Sequence, residues 1–371
     1  MNPALDARTP DSDHYFLERG TPETIRTLES GTIARDGKTI DVRAVAVRAL
    51  AGGGEEILFR RRSPTPARNF AERAKRFTVA IRAFSLTATF MPCLAALLLG
   101  IRGGAAPELG VALPALAGVL LLQVSVNLYN DVSDYLKLID LPGSPGGSGV
   151  FELGWFTPRE IRNCARATLI LGIAAGLPAL ARHPLEILAM GGLGIVGTIL
   201  YSHPRFGLKY HALGDLAVFV LCGPALAAGF AWATFGAVSG GVLAAGSFLG
   251  LLACALLHVN NFHDMELDRS RGVTTLAIRL GFEGSWKFLG FLYGAAIAIL
   301  FAAVAFGMFP ATALLATIVA LPAGKLYRRI RTSLGPHSPT LEGARIDAAK
   351  IHLLAGALLS AGLFASRWIG G

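Results

Sequence analysis

Long apolar stretches separated by short polar segments dominate this chain of 371 residues from about position 77 onward. Most of these stretches run for about 17–25 residues, the length that a helix needs to cross the hydrocarbon core of a bilayer. The pattern predicts an all-α integral membrane domain over residues 77–371, with nine transmembrane helices. The predicted spans are residues 83–101, 109–128, 165–181, 186–201, 212–232, 239–258, 286–306, 310–324 and 350–368.

Residues 1–76 have a different pattern, because they are polar and contain no stretch of span length. We expect a small polar extension with a β-rich part, in which Asp36-Gly37 has the composition of a hairpin turn. The first 13 residues lack the apolar core of a secretory signal, so we predict no cleavable signal peptide. The predicted strands are residues 31–40, 41–50 and 55–59.

Composition supports the membrane assignment and bears on the partners of the chain. The chain is 53% hydrophobic and 16% charged, which is too little charge for a soluble domain of this length. Its formal net charge is +9, but the basic residues gather in alternate loops between apolar runs rather than on one stripe. This is the positive-inside pattern, so we predict contact with a lipid bilayer, no nucleic-acid partner, a cytoplasmic N-terminus and an external C-terminus.

Two polar motifs occur where predicted spans meet loops on the cytoplasmic side. In a helix, three residues of the first motif fall at i, i+4 and i+7, namely Asn127, Asp131 and Asp134. Three residues of the second fall at i, i+4 and i+8, namely Asn260, Asp264 and Asp268. Each set therefore forms one stripe. The first motif consists of Asn127, Asn130, Asp131 and Asp134, and the second of Asn260, Asn261, Asp264 and Asp268.

Two acidic stripes at one membrane edge would repel each other without a cation between them. Hard divalent ions prefer carboxylate and amide oxygens, and Mg²⁺ commonly shares its shell with substrate phosphates. We therefore predict a Mg²⁺–diphosphate site in which an allylic diphosphate ionises, with its hydrocarbon tail in the apolar bundle. The predicted metal ligands are Asp131, Asp134, Asp264 and Asp268, joined by Asn127, and together these five are the predicted catalytic residues. Neutral oxygens or hydrogen bonds are expected from Asn127, Asn130, Asn260 and Asn261, and diphosphate-gripping cations from Lys137, Arg205, Lys209 and Arg269.

Three further residues are candidates for substrate contact, each with a structural alternative. Arg82 begins the first span and could pair with an aromatic carboxylate, or serve as a membrane anchor. Tyr201 could line the pocket, although tyrosine is also common at membrane interfaces. Asp215 lies just inside a span, where an acid requires a partner or a function.

At these motifs the chain resembles the UbiA superfamily of membrane aromatic prenyltransferases, over about residues 77–368. It is most similar to the menaquinone branch, the 1,4-dihydroxy-2-naphthoate prenyltransferases, in which Asp140 fits the spacing of a further acid. The run that follows the second motif is also similar, with Gly272, Thr275, Leu276, Ala277, Arg279, Leu280 and Gly281. The resemblance implies nine helices around a central cavity, Mg²⁺ bound through both motifs, and C-prenylation of an aromatic ring with loss of its carboxyl group.

The chain departs from this branch at positions that are expected to bind the diphosphate. The branch usually has a basic pair where this chain has Val273 and Thr274, so other cations such as Arg269 or Arg271 would have to take that part. The resemblance also implies an isoprenyl diphosphate and an aromatic acceptor as partners, in the cell (inner) membrane.

Other functions stay open at this point. The same chemistry would serve another acceptor, such as a specialised-metabolism phenol, a chlorophyllide, haem or a sugar phosphate. An ion-coupled transporter is a second class, but transporter ion sites tend to lie near the membrane midplane, whereas both motifs here are predicted at one face. A phosphatidyl-alcohol transferase would need a longer acidic signature, which the sequence does not contain.

Overall fold

The computed structural model of the chain describes residues 67–136, 147–151, 155–203, 205–270, 272–336 and 338–369, and the backbone of four strands within residues 15–61. Three residues of the sequence-based hypothesis, Lys137, Asp140 and Arg271, lie outside the described residues. The described part of the membrane domain is all-helical, as predicted. Its α-helices are α1 Phe70–Ala80, α2 Thr87–Arg102, α3 Leu109–Leu136, α4 Pro158–Arg182, α5 Pro184–Tyr201, α6 Gly214–Leu221, α7 Pro224–Phe235, α8 Gly240–His263, α9 Met265–Ser270, α10 Leu276–Ala305, α11 Ala320–Arg331 and α12 Ala344–Ile369. Short 3-10 helices are Ala83–Leu86, Leu208–Tyr210, Ala311–Val319 and Pro339–Leu341.

Eight helical segments of the described chain are long and apolar enough to cross a membrane, so the predicted count of nine is not confirmed. The difference lies at predicted span 310–324, which is a 3-10 helix over Ala311–Val319 followed by the short helix α11. The end of α11 is strongly basic, with Lys325 and three arginines, so its apolar run is too short to cross a membrane. The eight segments are Ala83–Arg102, Leu109–Tyr135, Pro158–Arg182, Pro184–Tyr201, Gly214–Phe235, Gly240–His263, Leu276–Ala305 and Pro339–Ser366.

The chain divides into two compact units, each assembled from separate stretches. Unit 1 consists of Met1–Arg82, Asn127–Ala165 and Leu267–Gly272, and unit 2 of Ala83–Val126, Arg166–Glu266 and Val273–Gly371. The predicted domain boundary between residues 76 and 77 stays a prediction.

Helix α8 is the central helix of unit 2. Its most apolar window is 78% buried, and it packs against α2, α6, α7, α10 and α12. Gly250 allows the closest of these approaches, because a Cβ atom there would lie 2.7 Å from the carbonyl oxygen of Phe219 and 2.8 Å from the Cα of Gly223. Small residues at such crossings let membrane helices approach closely, and this approach positions the end of α8, where the second motif begins.

The described strands in unit 1 pair antiparallel in the order β1-β4-β3-β2. Arg35 pairs with Lys38 across the predicted Asp36-Gly37 turn, so residues 38–40 belong to the second strand of the hairpin and not to the first. A register shift between Ala44 and Ala46 explains why the hydrophobic alternation is irregular there, since a bulge inserts one extra residue. The strands are β1 Tyr15–Gly20, β2 Thr32–Arg35, β3 Lys38–Ala49 and β4 Glu55–Arg61, of which β1 was not predicted.

Candidate functional site

The first motif lies within helix α3, as its spacing predicts. Its central acid, Asp131, is 2% exposed and is held by two polar groups of unit 1. One carboxylate oxygen accepts a hydrogen bond from the guanidinium of Arg82, and the other accepts one from the hydroxyl of Ser148. A buried acid at the end of a membrane helix is therefore neutralised by a specific cation, which is the usual condition for such a group to be tolerated.

The backbone of Arg82 has an uncommon conformation, which sets the direction of its side chain. Helix α1 is capped by Ile81, and Arg82 follows with φ +50°, in the left-handed region that residues other than glycine rarely adopt. The side-chain amide of Asn127 donates to the carbonyl oxygen of Ile81 at 2.8 Å. Because Asn127 and Asp131 are one helical turn apart, α3 holds both the turn and the guanidinium that leaves it.

The remaining acids of unit 1 are also buried. Asp134 is 1% exposed, and its Oδ2 accepts a hydrogen bond from the amide of Asn130 at 3.0 Å. Asp268 is 6% exposed and belongs to the short stretch Leu267–Gly272 that is part of this unit. The last acid of the second motif is therefore in the same compact unit as the whole of the first motif.

The second motif is not one continuous helical stripe, which corrects the sequence-based prediction. Asn260 and Asn261 lie in α8, which ends at His263, and Asp268 lies in α9. Between them Asp264 leaves the helix with φ −90° and ψ 2°, although its backbone N–H still bonds the carbonyl oxygen of Asn260. The first two polar positions thus keep their i, i+4 relation, and the third follows a break.

Asp215 is buried in unit 2 and has two partners on α8. Its carboxylate lies 2.9 Å from Nδ1 of His258 and accepts a hydrogen bond from the amide of Asn261 at 3.3 Å. His258 is also buried, its ring is edge-on to Phe288, and its Nε2 has no hydrogen-bond partner among the described residues. Asp215 therefore links α6 to the second motif; its predicted contact with substrate stays a prediction.

Asp264 is paired with an arginine, as Asp131 is in the other unit. The guanidinium of Arg345, in the first turn of α12, contacts the Asp264 carboxylate and donates to Nδ1 of His263 at 3.1 Å. The side chains of Arg345 and Asp264 are 27% and 16% exposed. This pair is half-buried at the end of α8, where both groups can still reach a ligand.

Two of the predicted cations lie on the loop between α5 and α6. Arg205 is exposed and its guanidinium lies over the ring of Phe206, while the ammonium group of Lys209 lies 5.7 Å from the ring centre of Tyr210. The N–H of Thr274 donates to the carbonyl oxygen of Tyr210 at 3.3 Å. This backbone contact places Lys209 beside the segment that lacks the basic pair of the menaquinone branch.

The other predicted contact residues occupy helix ends. Tyr201 is half-buried at the end of α5, Asn260 is half-buried in α8, and Arg269 is exposed in α9. Their positions at the polar ends of helices fit a site near the membrane surface. Their roles remain predictions.

Sequence reasoning did not assign Arg345, Ser148 or His258 to the site. Arg345 lies five residues before the last predicted span, 350–368, in a basic loop on the side of the two motifs, which was an available signal. Ser148 follows a glycine-rich loop with no pattern of its own. His258 is two residues before the second motif, but its pairing with Asp215 joins positions 43 apart, which no local pattern reveals.

The donor set of the motifs fits Mg²⁺ when the metal is shared with a phosphate. Asn127, Asn130 and Asn261 each donate an amide N–H to a protein acceptor, which orients the amide, and amide and carboxylate oxygens are the hard donors that Mg²⁺ prefers. Within the described residues no group of three or more His, Cys, Asp or Glu side chains is arranged to hold a metal. Mg²⁺ does not require such a cage, because it keeps waters and binds through one or two carboxylates plus substrate phosphates.

Eight apolar helical segments, with arginine-paired acids at the ends of two of them, define a polytopic α-helical membrane protein. Residues 89–338, more than half of the chain, match the UbiA prenyltransferase family, and the chain belongs to that family. It is accordingly a membrane prenyltransferase, and the resemblance drawn from its motifs is confirmed at the level of the family.

Relatives and solved structures agree with this assignment. The chain is 29% identical over 265 residues to a 1,4-dihydroxy-2-naphthoate octaprenyltransferase of Escherichia coli (strain K12), covering 70% of this chain and 85% of the relative. It is 34% identical over 170 residues to the protein of that name in Mycobacterium tuberculosis, covering 46% and 58%. The fold is similar to that of a UbiA homolog from Archaeoglobus fulgidus bound to GPP and Mg²⁺, with a TM-score of 0.52, 17% identity and coverage of 77% and 99%.

Proposed function

We propose that this prenyltransferase moves a prenyl group from an allylic prenyl diphosphate to 1,4-dihydroxy-2-naphthoate, as a step of menaquinone biosynthesis. The observation that carries the proposal is the pair of Asn/Asp motifs, in each of which an acid is paired with an arginine from a distant part of the chain. The names of the two bacterial relatives support the acceptor, and the Archaeoglobus fulgidus structure supports a prenyl diphosphate with Mg²⁺.

The ligands proposed for Mg²⁺ are Asp131, Asp134, Asp264 and Asp268, with the amide oxygen of Asn127. Bound Mg²⁺ would neutralise the charge that develops on the departing diphosphate. The proposal requires both motifs to act on one diphosphate, and their predicted place on the same side of the membrane supports this.

The protein contributes position, charge and exclusion of water. Lys209, Arg205 and Arg269 are proposed to bind phosphate oxygens, and the apolar helices to hold the hydrocarbon tail and keep water from the reacting carbon. Arg82, Tyr201 and Asp215 are proposed to orient the aromatic acceptor.

The reaction is balanced without a covalent bond to the protein. The allylic C–O bond breaks and its electron pair leaves with the diphosphate. The ring carbon that bears the carboxylate then forms the new C–C bond. Loss of CO₂ returns an electron pair to the ring and restores its aromaticity.

The experiment is prenyl transfer by the purified protein with Mg²⁺, a prenyl diphosphate and either 1,4-dihydroxy-2-naphthoate or another acceptor class. We expect the naphthoate to be prenylated with release of CO₂, and Asp131→Ala or Asp264→Ala to abolish the product while the protein still inserts into membranes. Asp347→Ala is a matched control, because it also breaks an arginine ion pair, that with Arg329 at 2.5 Å. Normal turnover in either motif variant would refute the metal assignment, and exclusive use of a phenol, chlorophyllide or haem would refute the acceptor.

We further propose that the enzyme lies in the cell (inner) membrane with its N-terminus and both motifs on the cytoplasmic side. The support is the excess of Lys and Arg in the loops that flank the motifs. Labelling of single cysteines placed beside the motifs with an impermeant reagent tests it. Labelling only from the external side would contradict this orientation.

A further inference from the structure

Arg345 contacts the second motif from a distant helix, and the stability that an ion pair adds does not account for this contact. Its guanidinium contacts Asp264 and donates to His263, so it bonds two neighbouring side chains of the second motif. It reaches them from α12, which is 81 residues away in sequence. A half-buried ion pair of this kind adds little stability by itself, since desolvation offsets most of the attraction.

Arg329, near the end of α11, is an arginine with a structural role. Arg329 bonds Asp347, but it also donates to the backbone carbonyl oxygens of Thr340 at 3.1 Å and Glu342 at 2.8 Å. Backbone acceptors in a turn hold the guanidinium in place. Arg345 bonds the side chains of His263 and Asp264, and the Asp264 carboxylate is a proposed ligand of Mg²⁺.

We propose that Arg345 binds the diphosphate of the prenyl substrate, exchanging the Asp264 carboxylate for phosphate oxygens when Mg²⁺ takes that carboxylate. This inference rests on the proposed function. The guanidinium fork fits a phosphate as well as a carboxylate, so the exchange replaces one anion by another.

The segment that follows the second motif carries no charge at Val273 and Thr274, and Val273 is buried. Both residues and Arg345 belong to unit 2. Arg345 therefore supplies a positive charge to the second motif from another helix.

The test uses the full chain, purified in detergent, and measures equilibrium binding of geranyl diphosphate and of inorganic pyrophosphate in Mg²⁺. We expect Arg345→Gln to weaken the binding of both by about 10- to 100-fold, the loss that follows from removing a hydrogen-bonded charged partner. Arg345→Lys keeps the charge without the fork, and should lose less. Arg329→Gln is the control, since it removes the arginine of another ion pair of α12, that with Asp347, and should leave both affinities unchanged.

A second readout separates binding from a structural role. Mn²⁺ binding without diphosphate, followed by electron paramagnetic resonance, should become tighter in Arg345→Gln by about 3- to 10-fold, because a competing cation is removed from Asp264. A structural role would weaken both metal and diphosphate binding. Unchanged geranyl diphosphate affinity in Arg345→Gln and Arg345→Lys, with normal binding by the wild type, would overturn this inference alone. Failure of the wild type to bind geranyl diphosphate would overturn the proposed function and this inference together.

Discussion

Asp215 joins two helices of unit 2 through hydrogen bonds that should be energetically coupled. It accepts from Asn261 at 3.3 Å and pairs with His258 at 2.9 Å, and both acid and imidazole are buried. Interhelical hydrogen bonds in membrane bundles contribute about 0.6–1.7 kcal/mol each, and bonds to a charged group about 1.5–3 kcal/mol. Two bonds therefore give an expected loss of about 3 kcal/mol in the free energy of unfolding for Asp215→Leu.

The energetic coupling between Asp215 and His258 gives a stricter test than the single variant does. Asp215→Leu leaves His258 without its partner at Nδ1, while its Nε2 already has none among the described residues. His258→Leu leaves the carboxylate stranded in the same way. The double variant leaves neither group, so its loss should be smaller than the sum of the single losses by about 1–2 kcal/mol.

Reversible unfolding in mixed detergent micelles, followed by helical circular dichroism, measures the four free energies. Thr312→Val is a matched control, since it breaks one neutral interhelical bond, from the threonine hydroxyl to the carbonyl oxygen of Gly362 at 2.6 Å. It should lose about 0.6–1.7 kcal/mol and be additive with Asp215→Leu. Additive losses in the Asp215 and His258 cycle would refute the reasoning, because they would mean that the two groups do not share a hydrogen bond in the membrane.

Three other predictions test separate features of the molecule. Gly250→Ala should lower the free energy of unfolding by about 1–3 kcal/mol, because the new Cβ would meet the carbonyl oxygen of Phe219. Gly294→Ala, with open space around it, should be neutral or slightly stabilising. Equal melting temperatures for the two variants would contradict the close helix crossing. Arg82→Gly and Arg82→Ala should both abolish prenyl transfer, because each removes the ion-pair partner of Asp131. The alanine variant should be less stable by about 1 kcal/mol, because only glycine tolerates φ +50° freely. A more stable alanine variant in thermal unfolding would oppose this. Chelation with EDTA should stop prenyl transfer and added Mg²⁺ should restore it, and full activity in EDTA would exclude the metal.

Local pattern in the sequence was enough to predict much of the fold. Helical spacing places Asn127, Asp131 and Asp134 within α3, and the apolar blocks match the helical segments of span length except at residues 310–324. In that segment the total hydrophobicity was high, but a 3-10 stretch and a basic end divide it. Periodicity reports the preferred period of a segment and not where a helix changes type, so it also missed the break at Asp264.

The partners of the site residues could not be predicted in the same way. The arginines that hold Asp131 and Asp264 are 49 and 81 residues away in sequence, and the imidazole beside Asp215 is 43 residues away. Such pairs form because tertiary packing brings together groups that would otherwise be buried without compensation. The sequence showed only that each acid needed a partner.

The central claim is that the two motifs hold one Mg²⁺-bound diphosphate. The most direct measurement is the Mg²⁺-dependent affinity for geranyl diphosphate of the wild type, Asp131→Ala, Asp264→Ala and the double variant. Shared binding predicts that each single change removes most of the affinity and that the double change removes little more, since both lose the same complex. Losses that multiply in the double variant, or wild-type affinity in either single variant, would contradict a shared diphosphate.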